Sequence, residues 1–366
     1  MTIEWLAGNR LRGTTAERPS VSLQSPSVGG WVEVGRTTLD STGNNIDVSS
    51  LPDKRYYMFL THAPTDSSGY VLDRYRLNAD TDPNYSFNSG LNGGAFGTGS
   101  VSQSEGIVLS DGASIHQSGE IFTMGYISNV SGKEKLLIGN TLHNDTAGSG
   151  TAPDIAKGVG KHAQTLNPVT SVNVVNTNNS GFASGSEVVV LGWDPTDTHT
   201  SNFWEELASV DLSGGASDSL STGTFIPKKY MWLQWFHSST GGTVYSKIRV
   251  GNSTIDTGSN YARRQSGDGG SDSTATGETY MFTGYTASTT PEFGNMFIIN
   301  NASTEKLAIA HTNVQSTAGA GTAPSRKEMA FKWANTSNQI NIIELLNDTG
   351  SGDMGTNTIL KVWGSD

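Results

Sequence analysis

The sequence predicts an all-β protein: two tandem antiparallel β-sandwich modules of jelly-roll type, made by an internal duplication and preceded by a short extended amino-terminal arm. Three observations carry this reading. The phrase TAGSGTAP at Thr146–Pro153 returns as TAGAGTAP at Thr317–Pro324, 171 residues later. Landmarks on either side keep that offset: Lys133-Glu134-Lys135-Leu136 answers Thr304-Glu305-Lys306-Leu307, and Lys161-His162-Ala163 answers Lys332-Trp333-Ala334. Short apolar runs separated by Gly, Asn, Asp and Ser clusters recur through both halves, and no stretch sustains a 3.6-residue apolar period.

Composition agrees. The 366 residues include 44 Gly and only 16% charged side chains, a turn-rich balance with little long-helix character, while eight Trp and 8% aromatic residues are too many for a chain without a core. Net charge is −11, with Lys and Arg scattered, so attraction to nucleic acid phosphate is not expected. The absence of cysteine excludes disulfides, thiolate metal sites and cysteine nucleophiles. No membrane span and no secretion signal are legible, which is the pattern expected of a protein that stays in the cytoplasm where it is made, or leaves by cell lysis or as part of a larger particle.

Residues 1–28 form the arm, where the apolar trio Ile3, Trp5 and Leu6 reads as a docking element. Module A spans 29–195, a polar linker 196–202 and module B 203–366. Trp31 and Trp204 open the modules, and Trp193 and Trp363 close them. After each opening comes a proline-started apolar run, Pro52–Leu60 and Pro227–Trp235, suited to a central strand covered on both faces. Trp232 and Trp235, three apart on such a strand, should face opposite sides. Lys247–Val250, Val172–Val174 and Ile340–Ile342 alternate as half-buried strands do. Arg326–Trp333 reads as a strand because its partner in module A contains Gly158 and Gly160.

Signals for chemistry are few. Gly158–Ala163 spells GxGxxA, but its copy Met329–Ala334 keeps no glycine and no βαβ context surrounds it, so no nucleotide or other cofactor is expected. The seven histidines show no metal-ligand spacing, and His62 and His237 read as rim residues capping the sheet. Asp80, Asp82 and Asn84 resemble the start of a calcium loop but lack its Gly and its closing Glu, leaving a calcium site or an Asx-rich turn. Asn84-Tyr85 and Asn260-Tyr261, the latter followed by Arg263 and Arg264, form a repeated loop. It fits a ligand or subunit contact, in which Tyr offers a flat face and Asn or Arg orients a polar partner, or a structural turn whose Tyr packs down. No carboxylate pair stands out as a general acid and base, so no catalytic residue is assigned.

Several phrases together resemble virion surface proteins of marine phages and archaeal viruses. They are Phe182-Ala183-Ser184-Gly185-Ser186 followed by Val188–Gly192, the run SLPDKRYYMFL, the NYARR loop with its GDGG, KEKLLIG and TEKLAIA, and the TAGxGTAP turns. Module B departs at Gly355–Thr358, where the Ser-Gly-Ser phrase is missing. The resemblance implies a lectin-like or jelly-roll sandwich in a capsid, decoration, spike or tail-fibre protein. Its partners would be other copies of itself, other virion proteins and a host-surface glycan. A carbohydrate-binding module pair or adhesin is the rival expectation.

Overall fold

Strand β5 (Tyr56–Pro64) shows how the sequence builds this fold. Tyr57, Phe59 and Ala63 point into one apolar core while Met58 and Leu60 point into another, so the strand is covered on both faces and reads as a continuous apolar run. A computed structural model describes residues 30–366 except 67–69, 97–98, 110–115, 118, 179, 198–201, 287–289, 315–316, 318 and 349–350. Before them it describes only the backbone of two paired strands, β1 (Glu4–Leu6) and β2 (Arg10–Arg12). Ile3 lies outside the described residues, as do the side chains of Trp5 and Leu6.

The first half contributes β3 (Val32–Thr38), β4 (Asn45–Val48), β5, β6 (Tyr70–Val71), β7 (Asp73–Leu77), β8 (Tyr85–Leu91) and β9 (Ser100–Gln103). It continues with β10 (His116–Gln117), β11 (Glu120–Ser128), β12 (Lys135–Asn144), β13 (Asp154–His162), β14 (Val172–Asn176) and β15 (Glu187–Trp193). The second half contributes β16 (Glu205–Asp211), β17 (Ser219–Ser221), β18 (Tyr230–Ser238), β19 (Val244–Asn252), β20 (Thr254–Ile255), β21 (Tyr261–Gly267) and β22 (Ser273–Glu278). It ends with β23 (Met281–Thr286), β24 (Pro291–Ile299), β25 (Lys306–Val314), β26 (Ser325–Trp333), β27 (Ile342–Asn347) and β28 (Ile359–Ser365). Among the described residues there is no helix, and so none long and apolar enough to cross a membrane.

Each half is a sandwich of antiparallel sheets with the same strand order. The large sheet of module A runs β3-β15-β5-β11-β12-β13-β8-β9, and that of module B runs β16-β28-β18-β24-β25-β26-β21-β22, strand for strand in the same sequence. The small sheets match too, β4-β14-β7 against β17-β27-β19, the latter extended by β20 and β23. Between large and small sheet lies the core of each module, built around Tyr57, Phe59, Tyr75 and Phe182 in A and around Trp235, Phe331, Trp333 and Met354 in B.

Register aligns the copies residue by residue. The cross-strand row Met58–Tyr126–Ile138–Val159–Asn88 in module A becomes Trp232–Phe297–Ile309–Ala330–Arg264 in module B. The closing tryptophans are not equivalent, contrary to expectation. Leu191 sits opposite Met58 and Trp363 opposite Trp232, so Trp363 occupies the position of Leu191, while Trp193 sits opposite Tyr56. Nor are the histidines: His62 lies opposite Phe122 and its counterpart is Phe236, so His62 and His237 point to opposite faces. Both are fully buried rather than at a rim.

Packing compensates between the copies. In module A the ring of Phe59 lies against Gly125, where an added Cβ would come within 2.3 Å of it; the matching pair in module B is Leu233 and Met296. Two residues along, Thr61 faces Thr123 in A, while in B Trp235 lies across Gly294, where a Cβ would approach to 2.0 Å. Large-with-none replaces medium-with-medium, keeping core volume. Gly158 and Gly160 have a similar reason to be glycine: they lie under Leu109 and Ile107, which leave no room for a Cβ.

Candidate assembly surface

The two large sheets stack face to face, giving a third apolar core between the modules. Module A supplies Met58, Leu60, Phe122, Met124, Leu142, Ile155, Val189 and Leu191, and module B answers with Phe203, Trp204, Tyr230, Phe297, Ile299, Leu307, Ile309, Ala330 and Trp363. Around Trp232 the aromatic rings crowd together: Trp204 at 5.8 Å, Phe297 stacked at 5.5 Å and Trp363 at 5.3 Å.

Pairs that cross between the modules reveal the symmetry. Asn140 Nδ2 lies 2.8 Å from His311 Nε2, and the two residues are 171 apart. Lys157 forms an ion pair with Glu328, again 171 apart. A residue that meets its own copy lies on a two-fold axis, so the modules are joined as an isologous dimer would be. Burial pushes His311 down to about 4, with Lys157 and Arg326 adding repulsion, and pushes Lys157 down to about 8.

On one side of this axis the interface is closed. The stretch Thr146–Pro153 acts as the clasp: Gly148 N–H donates to Glu305 (2.5 Å), Thr146 carbonyl accepts from Lys332 (2.6 Å) and Pro153 carbonyl accepts from Arg264 (2.9 Å). Ser149 bonds the Ser259 carbonyl, and its own carbonyl accepts from Gly277 N–H. Asn144 bridges Glu305 and Lys332, whose side chains are 5% and 0% exposed. Burial lowers the Lys332 ammonium from its usual range, opposed by Glu305.

On the other side it is open. The copied loop at 319–324 is exposed, and the matching ion pair, Lys161 with Glu134, is 45% and 43% exposed. Leu136 and Ile138 are each 56% exposed, whereas their copies Leu307 and Ile309 are fully buried. With Trp31, Tyr56, Tyr126, Val159 and Trp193 they line a groove of about 770 Å³ on module A. Trp31 lies 6.2 Å from Tyr126 and 6.5 Å from Trp193, which stacks on Tyr56 at 5.3 Å.

The reason the open side stays open lies in module B. Where module A covers with Leu60, Met124, Leu142, Ile155 and Val189, register puts Gln234, Asn295, Asn313, Arg326 and Lys361 in the copy. A polar face has little to gain by closing on apolar side chains. An apolar groove in module A is therefore left facing the solvent.

The residues picked from the sequence lie elsewhere. Tyr85 and Tyr261 are fully buried, so neither offers a ring face to a ligand. The Tyr85 hydroxyl accepts from Leu77 N–H (3.1 Å) and lies 3.2 Å from the Asp80 carbonyl; the Tyr261 hydroxyl does the same with Val250 and Asp256. Asp80 accepts from Asp82 N–H (2.8 Å) and Asn84 (2.7 Å) and meets His162 Nε2 at 2.7 Å. Burial pushes its carboxyl up, but those bonds together hold it below the usual range. Asp256 repeats the arrangement with Gly258, Asn260 and Trp333. Both loops are thus Asx brackets that anchor a core tyrosine, and both carboxylate oxygens of Asp80 are engaged in the first of them. Among the described residues no group of three or more His, Asp or Glu is placed to hold a metal ion.

Arg263 bonds Gln265 and lies over the Phe282 ring. Arg264 alone of the six reaches a contact surface, pairing with Asp154 across the modules at 2.9 Å. The groove residues were missed as a site. Their sequence signal, the alternation in KEKLLIG, shows a strand with an apolar face, not whether that face is covered.

No family model and no curated protein matches this sequence. Among solved structures, domains LG4-5 of the mouse laminin alpha1 chain align over 91% of this chain and 89% of that one, at 10% identity and a TM-score of 0.18. Human GIVD cytosolic phospholipase A2 aligns over 77% and 33%, at 8% identity and 0.12, and a Pseudomonas aeruginosa FadL homologue over 86% and 91%, at 9% and 0.08. Similarity at that level carries no argument about function.

Proposed function

We propose that this chain is a non-enzymatic structural protein of a virion surface, a capsid, decoration, spike or tail-fibre component built to associate with copies of itself and other particle proteins. One observation carries the reading: module A exposes an apolar aromatic face whose copy in module B is buried against protein. Within this molecule that kind of face already serves as a protein contact, and exposed apolar patches of this sort mark association sites. The sequence phrases that resemble those of virion surface proteins supply the setting. The non-enzymatic part is supported by the acids themselves. Glu292 is fully buried in the module B core, where it accepts from Trp235 (2.9 Å) and Ser246 (2.6 Å). Asp194, beside a polar cleft, is held below its usual range by bonds from Thr196, which argues against a general-acid role there.

Light scattering across a concentration series tests the reading. The full chain should form a defined oligomer, and Ile138→Asp, a change at an exposed position, should dissociate it without altering the unfolding transition. A monomer at every concentration would overturn the proposal. A second reading, carbohydrate binding, rests on the stacked Tyr56–Trp193 rings in the groove. It ranks lower because most of the groove wall is aliphatic or aromatic, while sugar sites need polar groups to orient hydroxyls. Glycan-array binding that disappears in Trp193→Ala would favour it.

A further inference from the structure

We infer that the groove on module A is the seat for the segment preceding Gly30, supplied by a neighbouring copy of the chain. The inference rests on the assembly reading and names the contact that would join the copies. Module B shows how such a face is filled: Leu307, Ile309, Ala330 and Trp204 are covered by an apolar protein surface. A second copy cannot offer the same cover from its folded modules. The covering face of module A is already buried against its own module B, and the corresponding face of module B carries Gln234, Asn295, Arg326 and Lys361.

The leading segment has what is missing. It contains Ile3, Trp5, Leu6 and Leu11, and its backbone pairs as a short hairpin with Trp5 directly opposite Leu11 and Glu4 opposite Arg12. The segment carries both apolar and charged residues, and so does the ground it would cover: the groove is lined by module A alone, and beside it, sharing Tyr126, Ile138 and Val159, lies a smaller hollow to which module B contributes Asn295, His311, Arg326 and Glu328. An isolated two-stranded hairpin is only marginally stable in water, so it gains from a surface to lie on.

Residues 13–29 separate the hairpin from Gly30, and an extended chain of that length spans roughly 50–60 Å.

Because the chain has no cysteine, disulfide trapping reads the contact cleanly. Leu11→Cys and Ile138→Cys are made as separate full-length proteins, mixed, and oxidised; Ser221→Cys, exposed on the small sheet of module B, is the control partner. The expected result is a covalent heterodimer from the Leu11/Ile138 mixture, about tenfold above the Leu11/Ser221 control, as an effective concentration near millimolar would give. Light scattering on the same mixtures separates the two levels of failure. An oligomer without the cross-link overturns the arm-to-groove contact and leaves the assembly reading standing. Monomers throughout, with a cross-link forming only inside a double Leu11→Cys/Ile138→Cys chain, would mean that the arm covers its own groove, and would overturn both.

Discussion

The two sides of the inter-module axis began as one surface and now differ in almost every physical property. On the closed side, Leu307, Ile309 and the Lys332–Glu305 pair lie beneath the Thr146–Pro153 clasp; on the open side, Leu136, Ile138 and the Lys161–Glu134 pair stand in solvent beside the exposed 319–324 loop. The strands, register and most residue types agree, so the difference comes from the facing module. Module A presents apolar side chains across the axis and module B presents amides and cations. A duplicated module thus keeps one half of its symmetric contact for internal use and releases the other.

Substitutions at matched positions sharpen or break that contrast. Lys332→Met should have the largest effect, about 3–5 kcal/mol in chemical denaturation, because it leaves Glu305 buried without its cation. Its partner change Lys161→Met should stay within about 0.5 kcal/mol, as exposed ion pairs do. Equal losses at the two sites would mean that the open side is covered in solution. Ile309→Ala should cost about 2–5 kcal/mol by removing packed atoms from the inter-module core, against less than about 1 kcal/mol for Ile138→Ala.

Acid should act next in size, through His311 on the axis. Its folded-state value is depressed from 6.5 to about 4, so between those values the unfolded chain binds a proton that the folded chain refuses. Stability should therefore fall as pH drops from about 6.5 to about 4, by on the order of 1–3 kcal/mol from this group. Comparing urea unfolding at pH 7 and 4.5 for the wild type and His311→Gln checks it; an unchanged slope in the variant would remove His311 from the account.

Much of the fold was legible because a repeat supplies its own control. TAGxGTAP and the offset landmarks marked two modules, alternation and turn chemistry marked strands, and the uninterrupted run at Tyr56–Leu60 marked a strand covered on both faces. Trp232 and Trp235 do face opposite sides, toward the inter-module core and the module B core. The closing tryptophans misled because a shared residue type two positions out of register looks like an equivalence when only sequence offset is compared. The Asn-Tyr loops misled for a related reason: their residue types suit a ligand site and a buried Asx bracket equally well, and only burial separates the two.

The sequence by itself determined the number of modules, their β character and the residues that alternate along each strand, since these depend on local propensity and periodicity. Which face of a strand meets water depends on what another strand, 171 residues away, places across from it. The clasp and its exposed copy are nearly the same eight residues, and the groove residues of module A are nearly those that module B buries. Only the tertiary structure could decide which copy is covered, because burial belongs to the pair of surfaces and not to either sequence alone.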